Sequence, residues 1–347
     1  MSRRILIAGL AGPLGAQLAR ELELDARVDA LVGIDERDPP IALDRTEFVR
    51  VGVDGLTVRR VLEAAAIDTV VDARLITDTT VASERARRRI NVEETRTLVA
   101  AAAAAGVAQF VLASSAHVYG CAAGDPAYFR EDMALAPRPT TLEQQLRDAE
   151  DAAGELRTLR PGARVAVLRL VDVAAADRPS ALSRLLALPG VVPTVAGFDP
   201  RVQLLHPDDA TAALEHATTE RLDGTFNVAA DGVLALSELA SLLDRRPVPV
   251  LPPWGTSLAA APLRRLGAPL PGELLALLRH GRAVDNRRLK ASGLRLRYTA
   301  REAAVELRRS QRVATLVGAA AEYRYDEGLE DFLKRSPAVR DRPVAPG

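Results

Sequence analysis

The stretch RRILIAGLAGPLGAQLARELEL, Arg3–Leu24, decides the fold. Ile5 to Ala8 form a short apolar run suited to a strand buried on both faces, and Gly9, Gly12 and Gly15 follow it as G-x-x-G-x-x-G. Pro13 suits the first turn of a helix, and Leu14, Leu18 and Leu22 continue at helical spacing. Strand, glycine turn and helix in this order let the backbone approach a pyrophosphate closely. The helix N-terminus then offers N–H groups and a positive dipole end. Asp35 ends the next apolar run, ALVGID, twenty residues after Gly15. A carboxylate there accepts hydrogen bonds from a ribose. Gly9, Gly12, Leu14, Gly15 and Asp35 are therefore candidate cofactor-binding residues, with a ligand-free strand–helix turn as the alternative. Pro13 lacks one N–H that this loop can offer. Asp35 favours NAD, because a 2′-phosphate would meet like charge, while Arg37 keeps NADP open.

Working outward, β-branched runs alternate with helical periods through the first half: FVRV then VRRVLEAA, TVVDA then a long Ala/Arg helix, FVLASS, and VAVLRL. Such alternation predicts an α/β, doubly wound parallel sheet, a Rossmann fold. RARRR at 85–89 reads as a solvated helix face and the alanine run 100–105 as a helix end against the sheet. After Leu170 the pattern loosens around prolines and glycines, recovers over 203–232, and gives way to a smaller, mainly helical C-terminal region. The expected division is 1–172 for the nucleotide domain with 203–232 returning to it, 173–202 and 233–315 for a smaller substrate-type domain, and 316–347 for an extension ending in a mobile tail.

A chain of 347 residues, 48% apolar and 27% charged, can bury a full core. Its 46 basic and 46 acidic residues balance, which argues against a nucleic-acid binder and for a small-molecule or protein partner. Cys121 is the only cysteine and the four histidines are scattered, so neither a disulfide nor a metal site is expected. The apolar start is interrupted by glycines and runs into a charged helix, unlike a signal sequence, and no stretch is long enough to span a bilayer. The expected location is the cytoplasm.

Several further segments, in order, resemble the extended short-chain dehydrogenases/reductases, specifically the NAD-dependent epimerase/dehydratase family typified by UDP-glucose 4-epimerase. They are INVEETRTLVAAA, FVLASSAHVYG, LRLVDV, QLLHPDDATAAL, GTFNVAADGVLALSEL and VDNRRLKASGLRLRYTAREAAVEL. The resemblance implies a sugar nucleotide or similar small molecule as ligand, closed over by the smaller domain, and leaves a homodimer open. Carried over by position, Ser115 is the serine that polarises the reacting group, His117 and Tyr119 border the substrate pocket, and Asn91 braces backbone. Val53 and Ala73 join the cofactor wall. Ser115 as a strand-end hydroxyl and Tyr119 as a packing aromatic are the structural alternatives.

The resemblance also implies a Tyr and a Lys four residues apart on the helix after the serine strand, the Lys lowering the phenol pKa for proton exchange. Aligning Ala149-Glu150 with the family's Ala-Glu puts Leu142 and Leu146 at those positions; a shift of one gives Thr141 and Gln145. The tyrosines are 119, 128, 298, 323 and 325 and the only lysines are Lys290 and Lys334, so no register restores the pair. Other expected contacts change too. Gly52 stands where an Asp meets the adenine amino group, Asp72 and Arg74 where a His and a small residue lie, Asp172 for an Asn beside the nicotinamide, and Ala175-Ala176 for a Gly-Pro. Arg74 could clamp a phosphate. The leading expectation is an NAD(P)-binding protein with a degraded catalytic site, acting by ligand binding or regulation. Two alternatives are an epimerase, dehydratase or hydroxysteroid-type dehydrogenase using His117, Tyr119 or Tyr128 as its acid, and a scaffold with an empty cleft.

Overall fold

β1 (Arg3–Ala8) is buried from Arg4 to Ala8 because it runs through the middle of a seven-stranded parallel sheet. This computed structural model describes residues 3–175, 180–252, 270–314, 332–334 and 336–340. The central strands are β2 (Val28–Asp35), β3 (Thr46–Arg50), β4 (Thr69–Asp72), β5 (Gln109–Ser115) and β6 (Arg164–Leu170). Across the sheet the order is Gly224–Val228, β6, β5, β4, β1, β2, β3, every neighbour parallel. The order reverses between β1 and β4, so a crevice opens at their carboxyl ends, where doubly wound folds bind ligands. The strand Gly224–Val228 on β6 brings the 203–232 segment back to this sheet.

Both faces are covered, as the near-continuous apolar strands require. On one side α1 (Pro13–Glu23) packs beside a helix at Pro207–Thr219 through Leu14, Leu18, Leu22, Ala210 and Leu214. On the other lie α2 (Gly55–Ala64), α4 (Glu94–Ala104) and α5 (Thr141–Leu159). α3 (Glu84–Arg88) leads into α4 through one π-helical turn, Arg89–Glu93. α5 begins with a capping box in which the Thr140 hydroxyl accepts from Glu143 N–H and the Glu143 carboxylate accepts from Thr140 N–H, which fixes where its first turn enters the core.

The smaller region has its own core of Leu182, Leu185, Leu239, Leu243, Leu274, Leu278, Ala303 and Leu307. Helices dominate it, but the strands Val191–Val195 and Arg246–Leu251 also pair in parallel. Their prolines had masked the strand pattern.

Residues 336–340, the start of the expected tail, are held against the sheet. Phe332 and Ser336 are almost wholly buried, Ala338 N–H donates to Glu47 at 2.8 Å, and the Arg4 guanidinium donates to the Ala338 carbonyl. One aromatic side chain anchored in the sheet's core offsets the ordering of a charged segment. The expectations for Ala176, residues 316–331 and 341–347, and Tyr323 and Tyr325 fall outside the described residues.

Candidate active site

The crevice is a cleft of about 720 Å³. At one end it is walled by the glycine loop. Gly9 has φ +94°, a left-handed conformation suited to glycine, and a Cβ on Gly15 would stand 2.3 Å from the Gly9 carbonyl oxygen. No side chain fits there, so the α1 N-terminus lies tight against the loop. The first intrahelical bond runs from Ala16 N–H to the Gly12 carbonyl, which leaves the N–H groups of Leu14 and Gly15 ahead of the ladder. Pro13, at the first helical position, supplies none.

Asp35, at the end of β2, also braces this loop. It accepts from Ala11 N–H at 3.0 Å and from Arg37 N–H at 3.2 Å, one bond to each carboxylate oxygen, which leaves both with further acceptor capacity, and the residue lines the cleft. Leu14, Arg37, Val53 and Ala73 all line the cleft, so the expected cofactor residues converge, Gly15 acting from beneath. Asp35 and Glu36 give that end two carboxylates against the single guanidinium of Arg37.

The loop after β4 crosses the middle. Arg74 lies over Gly9 and is nearly buried. Its Nε and Nη2 donate to Asp72 at 2.9 and 2.8 Å and its Nη1 to Glu94, while Thr95 adds a bond to Asp72 at 2.9 Å. Burial opposes the guanidinium charge, but Asp72 and Glu94 together hold its pKa above the usual value. Burial likewise raises the Glu94 carboxyl, against the pull of Arg74. The two carboxylates thus take the guanidinium that the sequence offered as a phosphate clamp. Asn91, on the π turn, braces the loop by accepting from Ile76 N–H at 2.9 Å and donating to the Ile76 carbonyl at 2.8 Å.

At the far end Ser115 closes β5. Its Oγ is 2.9 Å from His117 Nδ1 and 3.3 Å from the Leu170 carbonyl, and both side chains line the cleft. Burial, helped by the charge of Arg282, pushes the His117 pKa well below the usual histidine value, so the ring is neutral at pH 7. Asp172 completes this wall; burial raises its pKa despite Arg282, whose Nη2 lies 3.7 Å away. Arg282, from the smaller region, also donates toward Cys121 Sγ at 3.7 Å. Sequence reading missed Arg282, which lies more than a hundred residues from its partners and belongs to no motif.

Tyr119 does not line the cleft. It is buried and stacked on Phe129 with centroids 4.7 Å apart, its hydroxyl donating to Asn227 at 2.7 Å and accepting from Arg169 at 2.9 Å. Arg169 is clamped by Glu150, which also accepts from Ser114 at 2.6 Å. Burial raises the phenol pKa in spite of Arg169, and the side-chain polar atoms of Tyr119, Arg169, Glu150 and Ser114 are all partnered among themselves and Asn227, so Tyr119 sits in the core and not at the cleft. Tyr128 is exposed on the following loop, outside the cleft lining.

Residues 5–229 match the NAD dependent epimerase/dehydratase family. The chain belongs to that family. An uncharacterized protein of Mycobacterium tuberculosis is 34% identical over 311 residues, covering 86% of this chain and 81% of the relative. Among solved structures, UDP-glucose 4-epimerase from Stenotrophomonas maltophila, with bound NAD and formylated UDP-arabinopyranose, has a TM-score of 0.70 at 16% identity, over 90% of this chain and 99% of that one. MoeE5, in complex with UDP-glucose and NAD, has a TM-score of 0.68 at 23% identity, over 90% and 99%. These likenesses establish a shared fold.

Within this family member, Leu142 and Leu146 sit on the first turns of α5 and are 1% and 0% exposed, in the same apolar cluster as Tyr119 and Phe129. Gln145 is also buried, donating to the Glu84 carbonyl at 3.3 Å. None of the three reaches the cleft lining. Among the described residues no cluster of His, Cys, Asp and Glu is placed to hold a metal ion, and no helix is long and apolar enough to cross a membrane.

Proposed function

We propose that this family member binds NAD in the cleft, holds a small molecule of the sugar-nucleotide class beside it, and acts by that binding, without the ordinary epimerase or dehydratase turnover. What carries the reading is the sequence: no Tyr and Lys stand four residues apart, and the positions aligned with that pair through Ala149-Glu150 hold Leu142 and Leu146, which are packed in the core. The cofactor fits the residues present. Gly9 and Gly15 form a backbone cradle that a Cβ would fill, Leu14 and Gly15 offer free N–H groups, and Asp35 offers a ribose acceptor. When bound, NAD supplies a hydride acceptor. The residues of the chain orient it, but no Tyr/Lys pair is there to take the hydroxyl proton, a contribution of about 10²–10⁴-fold. The solved relatives bound to UDP-glucose or a UDP-pentose support the ligand class.

One observation favours a second reading. Ser115 Oγ and His117 Nδ1 are in hydrogen-bond contact at the cleft wall, and a neutral imidazole can accept a proton relayed through a serine hydroxyl. Incubation of the NAD-saturated protein with UDP-glucose, UDP-galactose and a panel of hydroxysteroids separates the two. We expect neither nicotinamide reduction nor product exchange. Robust turnover lost in both Ser115→Ala and His117→Ala would overturn the first reading and establish the second.

A further inference from the structure

Beyond Asp35, away from the α1 N-terminus, the cleft ends in a wall of Glu36, Val51, Gly52 and Val53. β2 and β3 pair in register up to Asp35 and Arg50, so the chain just past each strand, Glu36 and the Val51–Val53 segment, emerges side by side. Glu36 lies across Gly52, with Oε1 2.8 Å from the position a Cβ on residue 52 would take. The missing side chain at 52 is what lets the carboxylate into that space. The next acid along, Asp54, is spent on the cap of α2, accepting from Leu56 and Thr57 N–H groups at 3.1 and 3.2 Å. The nearby Arg50 is turned to Asp38. Among the described residues the Glu36 carboxylate has no hydrogen-bond or ion-pair partner.

We propose that Glu36 reads the base of the dinucleotide, accepting a hydrogen bond from the exocyclic amine of adenine over the open face of Gly52. The inference rests on the NAD-binding reading and adds the specificity of the adenosine end. With a pyrophosphate at the helix N-terminus and a ribose at Asp35, the base falls against Val51 and Val53, a half-buried apolar wall suited to a flat ring. An ionised carboxylate only accepts hydrogen bonds. A 6-amino purine offers it a donor. A 6-oxo purine puts an acceptor at that position, where the pair repels, and carries its donor on N1 instead, away from the spot that the amine occupies.

The test is the ratio of dissociation constants for NAD and nicotinamide hypoxanthine dinucleotide, which differ in the group on C6 and in the proton that hypoxanthine carries on N1. Wild type is expected to prefer NAD by about tenfold, the usual size of a charge-assisted hydrogen bond at a partly wet site. Glu36→Gln, whose amide can face either group, is expected to bring the ratio close to one. Glu36→Ala should do the same, and adding Gly52→Asp to Glu36→Ala should restore the preference for NAD by returning a carboxylate to that space from the other strand. Because Glu36 is exposed, these variants should keep the wild-type melting temperature. A wild-type ratio near one, or a ratio unchanged in Glu36→Gln, would overturn the assignment while leaving NAD binding intact. Failure of wild type to bind either dinucleotide would instead overturn the reading of the cleft itself.

Discussion

The two ends of the cleft have been treated differently. At the nucleotide end the parts that depend on backbone are intact: a glycine turn that excludes any Cβ, two free N–H groups at a helix start, and a carboxylate that both braces the loop and lines the cleft. At the other end the proposed reading rests on side chains: the positions aligned with the family's Tyr and Lys hold Leu142 and Leu146, and both are packed in the core. Ser115 survives there, now in contact with His117. On the proposed reading, the fold keeps a ligand cradle built from main chain while its chemistry, which lives in a few side chains, is exchanged.

The largest effect should come from Gly15→Val. Its Cβ would meet backbone at 2.3 Å, which cannot yield, so we expect loss of saturable NAD binding and a clearly lowered melting temperature. A variant that still bound NAD like wild type would mean that the cradle does not form the site. Next, Leu146→Lys puts an ammonium in a fully buried apolar position, with an expected destabilisation of several kcal/mol in denaturant unfolding. A stable Leu142→Tyr/Leu146→Lys protein with epimerase turnover would erase the contrast between the ends. Asp35→Ala should weaken NAD by about tenfold, and NADP by less, in parallel titrations; equal losses would remove the ribose assignment.

The smallest effect concerns pH. The folded-state pKa of His117 is depressed, so the unfolded chain binds its proton first as the pH falls. The stability held by the neutral ring is present above about pH 6.5 and is lost as the pH falls from there toward the folded pKa, with a slope of at most about 1.4 kcal/mol per pH unit. His117→Gln should flatten that part of the stability curve. An unchanged slope would show that the ring is not desolvated.

The sheet and the cofactor loop were legible because their signals are local: a short apolar run, glycines at fixed spacing, a carboxylate at the next strand end. That no Tyr and Lys stand four residues apart is read directly from the sequence. What escaped depends on contacts between distant segments. Arg282 meets Asp172 only once the smaller region folds back, Glu36 lies across Gly52 in space that a side chain at residue 52 would fill, and Phe332 is buried in the core beside a segment whose Ala338 bonds to Arg4 and Glu47. Tyr119 shows the opposite limit. Its position in the serine segment suggested the pocket, but the Arg169 and Asn227 side chains that capture its hydroxyl come from β6 and the Gly224–Val228 strand.

Isothermal calorimetry of the full chain with NAD bears most directly on whether the nucleotide end still works. Saturable binding at millimolar concentration or below, abolished in Gly15→Val and weakened in Asp35→Ala, is the predicted result. Neither heat nor saturation at millimolar NAD, from a protein that melts cooperatively, would contradict it.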